Sequence, residues 1–275
     1  MQLAGDPQDA YRSVHVAGTS GKGSVVYFVS ALLRAHGFRV GTHVSPHFFD
    51  LRERSMIDLE LLPEQDYVET LRTLLTHIES MQSTKHGLPT YFETTVLHAF
   101  ETFRRKQVDY AVIETGLGGL YDATNTISRQ DKLSVITRLG LDHVDVLGDT
   151  VEKIAAQKAG IFVHGSKAVV REQEPAAFRA IEQTAQLKEV KLQAVKPETS
   201  VHITQQSLRG IEFDYDGPAG VIPEIRLSSF GLFQAENFAL ALEAVYYLAH
   251  RDGFALDPVA VRDAVAGLHI PGRAE

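Results

Sequence analysis

The stretch VHVAGTSGKGS, residues 14–24, decides how this chain reads. Val14 and Val16 alternate with His15, as residues do along a strand. Gly18, Gly21 and Gly23 supply backbone freedom and remove side chains that would block a close approach. Lys22 and Ser24 then open a helix. Its apolar residues Val25, Val26, Phe28, Val29, Leu32 and Leu33 keep a helical period, and Gly37 provides the stop. Unpaired N–H groups at a helix N-terminus bind anions, above all phosphate. Lys22 adds a full positive charge there, and Ser24 an oxygen for a metal or a phosphate. The strict pattern G-x-x-x-x-G-K-[ST] is not met: position 16 is Val, and Gly23 lies between Lys22 and Ser24. The variant present is G-x-x-G-K-G-S.

Outward from this stretch, strands and helices alternate. FRVGTHV (38–44) reads as a second strand, ended by Ser45-Pro46-His47, where proline stops the ladder. Residues 48–62 read as loop with short strand pieces. A helix runs from Pro63 to about Met81, and another over 91–106. VDYAVIE (108–114) is a strand ending in a carboxylate and followed by Gly116, Gly118 and Gly119. LSVIT (133–137) is a further strand. Thr150 caps a helix that Gly160 closes. A strand at 167–171, a helix near 173–186 and a strand at 190–195 continue the alternation. The pattern predicts an α/β fold: a three-layer, P-loop-type, mainly parallel sheet with helices on both faces. Residues 201–230 change to short strands (VHITQQ, GIEFDY, IRLSSF), predicting a small antiparallel insert. Helices near 233–251 and 258–267 follow.

Ligands of open α/β sheets sit beyond the carboxyl ends of the strands. Lys22, Ser45, Glu114, Asp142 and His143 all fall there, which predicts one site on one rim. Glu114 can hold Mg²⁺ beside phosphates. His143 is a candidate ligand, although a lone histidine is commonly structural. Lys158, near a helix end, reads by itself as a cation favoured by the helix dipole. His15, His36, His47, His77, His86 and His98 show no metal-ligand spacing and read as structural or exposed.

The chain has 275 residues, enough for one large domain or two small ones. Its 44% apolar and 23% charged residues are those of a globular protein. A net charge of −8 argues against a nucleic-acid partner or an anionic membrane surface. There is no cysteine, hence no disulfide framework and no thiolate nucleophile. No apolar run has the form of a signal peptide or a membrane span, so the expected setting is cytoplasmic.

At this point the motifs resemble those of the folylpolyglutamate synthase/dihydrofolate synthase family, within the Mur ligase superfamily. They are HVAGTSGKGS (15–24), SPH (45–47), YFETT (91–95), IETGLGGLYDATN (113–125), ITRLGLDHVDVLGDT (136–150), IAAQKAGIF (154–162), FQAEN (233–237) and PGR (271–273). The resemblance implies a ligase using ATP and Mg²⁺. A substrate carboxylate takes the γ-phosphoryl group, and the amine of L-glutamate displaces phosphate from the acyl phosphate. The acceptor would be dihydropteroate or a folate. By motif match, Gly18, Thr19, Ser20, Gly21, Lys22, Gly23 and Ser24 cradle the phosphates, and Asn237 and Arg273 contact ATP. Ser45, Glu114 and His143 match Mg²⁺ ligands. Lys22, His143 and Lys158 match catalytic positions, Lys158 being a lysine the family carries as a carbamate. Asp122, Ala123, Thr124 and Asn125 match a substrate-binding segment. Ser20 stands where the family usually has asparagine, and Leu120 where it commonly has arginine. Leu120 keeps open another Mur-type ligase with a peptide or amino-acid acceptor. The family continues into a second, Rossmann-like domain that helps bind glutamate. Residues 1–275 are therefore expected to form the ATP-binding domain alone, working with a separate C-terminal domain or as a non-catalytic module of a split enzyme. A monomer is expected.

Overall fold

The computed structural model of the protein describes residues 1–229 and 231–272. The chain-order elements are β1 (Arg12–Ala17), α1 (Lys22–Ala35), β2 (Val40–His43), β3 (Met56–Ile57), α2 (Glu64–Ser80), α3 (Tyr91–Arg105) and β4 (Tyr110–Glu114). Next come β5 (Leu133–Ile136), α4 (Val144–Leu147), α5 (Val151–Ala159), β6 (Lys167–Arg171), α6 (Pro175–Leu187) and β7 (Lys191–Val195). The last are α7 (Pro197–Ser200), β8 (Val201–Ser207), β9 (Gly210–Gly217), β10 (Gly220–Leu227), α8 (Leu232–Asp252) and α9 (Pro258–Ala266).

Seven strands form one sheet in the order β3-β2-β4-β1-β5-β6-β7, parallel throughout except for the short edge strand β3. β1 lies in the middle, hydrogen-bonded to β4 and β5. A strand so placed is covered on both faces, which is why His15 is as buried as Val14 and Val16. Alternate side chains then enter different cores. Val14, Val16, Val112 and Val135 pack under α1 and α8. On the other face, Ala111 and Ile113 meet Phe100 and Phe103 of α3, while Ile136, Ala168 and Val170 meet α5 and α6. The three-layer, mainly parallel architecture expected from the alternation is the one found.

The insert is a separate antiparallel sheet, β10-β9-β8. Phe213 of β9 packs edge-on to Phe238 of α8, with ring centroids 5.7 Å apart. Phe238 in turn packs edge-on to Phe28 of α1, at 5.5 Å. The third strand begins earlier than its apolar residues suggest, at Gly220 rather than near 225. Pro223 and Glu224 interrupt the alternation at an irregularity between Ile222 and Ile225, where Glu224 has φ +57°. The short helix α4 was not expected from the sequence: four residues carry too little periodicity to read.

Candidate active site at the carboxyl rim

The strand register puts the ends of β1, β2, β4, β5 and β6 on one edge of the sheet. The loop after β1 lies against the segment after β5. The Thr19 and Ser20 amides both donate to the Arg138 carbonyl, at 3.0 and 3.2 Å. Thr137 Oγ1 donates to the Ser20 carbonyl at 2.7 Å. A Cβ on Gly18 would lie 1.8 Å from Thr137 Oγ1, so the two segments touch only because residue 18 has no side chain. With the amides of 19 and 20 occupied, the anion donors of this loop are the first-turn amides of α1, which begins at Lys22. Gly21, the N-cap, has φ +88°, and a Cβ there would lie 2.4 Å from Asn237 Oδ1. The loop is thus clamped between β5 and α8.

A cleft of about 620 Å³ opens over this loop. Thr19, Ser20, Gly21, Lys22, Ser24, Glu114 and Asn237 line it, as expected from the sequence. So do Arg138, Arg171, Phe233 and Glu236, to which the sequence alone assigned no role. Arg138 and Arg171 stand at or just past strand ends, the same signal that pointed to Glu114. Arg171 is held by Glu236 at 2.7 Å. Ser24 Oγ is buried and has no hydrogen-bond partner among the described residues, unusual for a hydroxyl and consistent with a ligand oxygen or metal completing it.

The loop after β2 brings Ser45 to Glu114: the Ser45 amide donates to Glu114 Oε2 at 3.1 Å. The Ser45–Pro46 bond is cis. Glu53 fixes the following turn by accepting the amides of Phe48, Phe49 and Asp50. His143 behaves differently. It is exposed, has φ +46°, and its Nε2 lies 3.6 Å from Asp142 Oδ1. It does not line the cleft. Among the described residues, no three His, Asp or Glu side chains gather closely enough to hold a metal ion. Ser24 and Glu114 line the cleft, and the Ser45 amide meets Glu114; His143 is exposed beside Asp142.

Lys158 is not the solvated helix-end cation its position suggested. It is buried, and its Nζ donates to the Gly18 carbonyl at 2.9 Å. Burial first, then the nearby charge of Lys22, lowers its pKa to about 8, while Asp142 and Asp122 pull the other way. The segment 122–125 lies beside it. Asp122 accepts the Leu117 amide at 2.7 Å and both the amide and hydroxyl of Thr124. Asn125 Nδ2 donates to the Leu120 and Gly160 carbonyls. Ala123 packs against the α3 core. Leu120 is partly exposed, its amide tied to the Gln157 carbonyl near the end of α5. Arg273 lies outside the described residues.

Central parallel strand, glycine turn and lysine at a helix start define a P-loop-type α/β domain. The chain belongs to the Mur ligase family: the Mur ligase middle domain matches residues 16–245. It is 32% identical over 276 residues to the dihydrofolate synthase/folylpolyglutamate synthase of Bacillus subtilis, a match covering 100% of this chain and 64% of that protein. A solved FPGS–AMPPCP–folate complex aligns with a TM-score of 0.91 at 32% identity, over 99% of this chain and 66% of the other. Folylpolyglutamate synthase of Mycobacterium tuberculosis complexed with ADP aligns with a TM-score of 0.90 at 34% identity, over 100% and 62%. The chain thus spans about 64% of the length of the Bacillus relative. Among the described residues, no helix is long and apolar enough to cross a membrane.

Proposed function

We propose that this chain is the ATP-binding part of a carbon–nitrogen ligase that adds L-glutamate to a folate or to dihydropteroate. The observation that carries this reading is the meeting of Lys22, Ser24 and Glu114 in one cleft. Phosphoryl transfer to a carboxylate piles negative charge on the transferring oxygens. The first-turn amides of α1 and the Lys22 ammonium are placed to offset that charge. Mg²⁺ fits the oxygen donors Ser24, Ser45 and Glu114, and when bound would neutralise phosphate charge. Asn237 closes the loop from α8 and keeps the phosphate end of the cleft narrow. Lys158 is proposed as the carbamate-bearing lysine. Its depressed pKa supports this, since only a neutral amine adds CO₂. His143 would have to approach Glu114 from its exposed position to serve as a ligand. Asp122, Ala123, Thr124 and Asn125 are proposed to border the acceptor, and Arg273 to reach ATP. Small-molecule partners, a cytoplasmic setting and residues 1–275 as one ATP-binding domain complete the reading.

Calorimetry with Mg·AMPPCP, followed by glutamate-dependent ADP release with folate, tests it. The chain should bind nucleotide only with magnesium, and release ADP quickly only when mixed with the remaining third of a relative. No magnesium-dependent binding would refute the reading. A peptide-acceptor Mur-type ligase is the second reading, favoured by Leu120 in place of the family's arginine. Comparing folate with peptide acceptors in the same assay separates the two.

A further inference from the structure

We propose that Lys132, His15 and Thr124 are positioning residues: a one-way hydrogen-bond relay that fixes the His15 tautomer and holds the Asp122 carboxylate, and with it the turn at 116–117, at the rim of the cleft. Lys132 is 1% exposed and has no ion-pair partner among the described residues. Its Nζ lies 3.3 Å from His15 Nδ1 and 3.5 Å from the Ile127 carbonyl. The charges facing it are Lys188, which disfavours its proton, and Asp9, which favours it. His15 is buried on β1, facing Lys132 on one side and His43 on the same sheet face. Burial, then Lys132 and His43, push its pKa well below the usual histidine range, so its ring is neutral and carries one N–H.

Donor logic then sets every proton along the chain. Below about pH 7, where Lys132 keeps its proton, its ammonium offers only donors, so His15 Nδ1 must present its lone pair and the ring proton must sit on Nε2. That Nε2 is 2.8 Å from Thr124 Oγ1 and donates to it. The Thr124 hydroxyl proton is left to point at Asp122 Oδ1, which also accepts the Thr124 amide at 3.0 Å. Asp122 Oδ2 accepts the Leu117 amide at 2.7 Å. The opposite tautomer would set Nδ1–H against the lysine and leave Thr124 with no proton from the ring. The turn has little room to move: a Cβ on Gly116 would lie 2.4 Å from the Phe92 ring and 3.1 Å from Asp122 Oδ2. The held carboxylate is one of the two whose charge reaches Lys158. The relay rests on the proposed function only in counting Asp122 and Thr124 among the site residues.

The test is made on the isotope-labelled full chain without nucleotide. Long-range ¹⁵N–¹H spectra read the His15 tautomer, and hydrogen exchange reads the Leu117 amide. Below about pH 7, where Lys132 is protonated, the wild-type ring should carry its proton on Nε2. Lys132→Met should release the tautomer preference and speed Leu117 exchange about tenfold. Thr124→Val should speed exchange similarly while leaving the tautomer alone, and Thr124→Ser should restore protection. A purely packing role for Lys132 would not move the tautomer. An Nδ1–H ring in the wild type, or unchanged Leu117 protection in Thr124→Val, overturns the relay. If Lys132→Met fails to fold, the wild-type tautomer and the threonine pair still decide. Magnesium-dependent nucleotide binding is measured separately, so failure of the ligase reading and failure of the relay remain distinct results.

Discussion

Lys158 Nζ, on α5, donates to the carbonyl of Gly18, 140 residues earlier in the chain, at 2.9 Å. This one bond ties the helix after the β5 rim to the loop that begins the nucleotide cleft. It also places a buried amine next to Lys22, which helps depress its pKa to about 8. The neutral fraction of Lys158 therefore rises as pH passes through about 8. Incubation with bicarbonate should add one CO₂ to the wild-type chain, more readily above that pH than below it. Intact mass measured without acid quenching checks this, and Lys158→Arg should show no addition.

Gly21 tests the clamp between loop and α8. An alanine there meets Asn237 Oδ1 at 2.4 Å and adopts φ +88°, which costs about 1–2 kcal/mol for the backbone alone. Gly21→Ala should lower the denaturant midpoint modestly and abolish nucleotide binding by calorimetry. Asn237→Gly placed in the same chain should recover part of the stability.

Glu114→Gln removes a carboxylate that both lines the cleft and meets Ser45. Magnesium-dependent nucleotide affinity should fall at least tenfold, while magnesium-independent binding of the nucleotide should change little. Titrations at fixed nucleotide and varied magnesium separate the two.

Lys132 makes stability depend on pH. Unfolded, it keeps its proton to near 10.5; folded, burial lets the proton go near 7. The unfolded state therefore binds more protons between those values, and stability rises with pH across that window. The penalty is fully present below about 7. Lys158 adds the same sign above about 8. Urea unfolding at several pH values should show this rise, and Lys132→Met should flatten it while raising stability at the acid end.

Phe238 joins three parts of the structure: α8, the insert through Phe213, and α1 through Phe28. It is fully buried. Phe238→Ala should cost about 3–5 kcal/mol. Denaturant unfolding followed by circular dichroism checks the loss.

Much of this was legible in the residue order. The 14–24 stretch, the strand ending at Glu114 and the capped helix after Thr150 all appear where their local chemistry placed them, because each is defined by neighbours in sequence. The rim itself was legible too, since parallel strands must end together. Lys158 was not: helix position alone made it a solvated cation, and only packing under the Gly18 loop buries it. His143, a candidate ligand by its place after a strand end, stands exposed beside Asp142. Arg138 and Arg171 carry the same strand-end signal as Glu114 but were given no role, and the link from Lys132 through His15 to Thr124 is not marked by anything local.

The residue order by itself determined the layered parallel sheet, the glycine-lysine loop at its centre and the insert, through periodicity and turn chemistry that act over a few residues. Tertiary structure alone decided which charges are buried and whom they face. Desolvation and hydrogen-bond direction depend on groups brought together from more than a hundred residues apart, as His15 with Thr124 and Lys132, or Lys158 with Gly18.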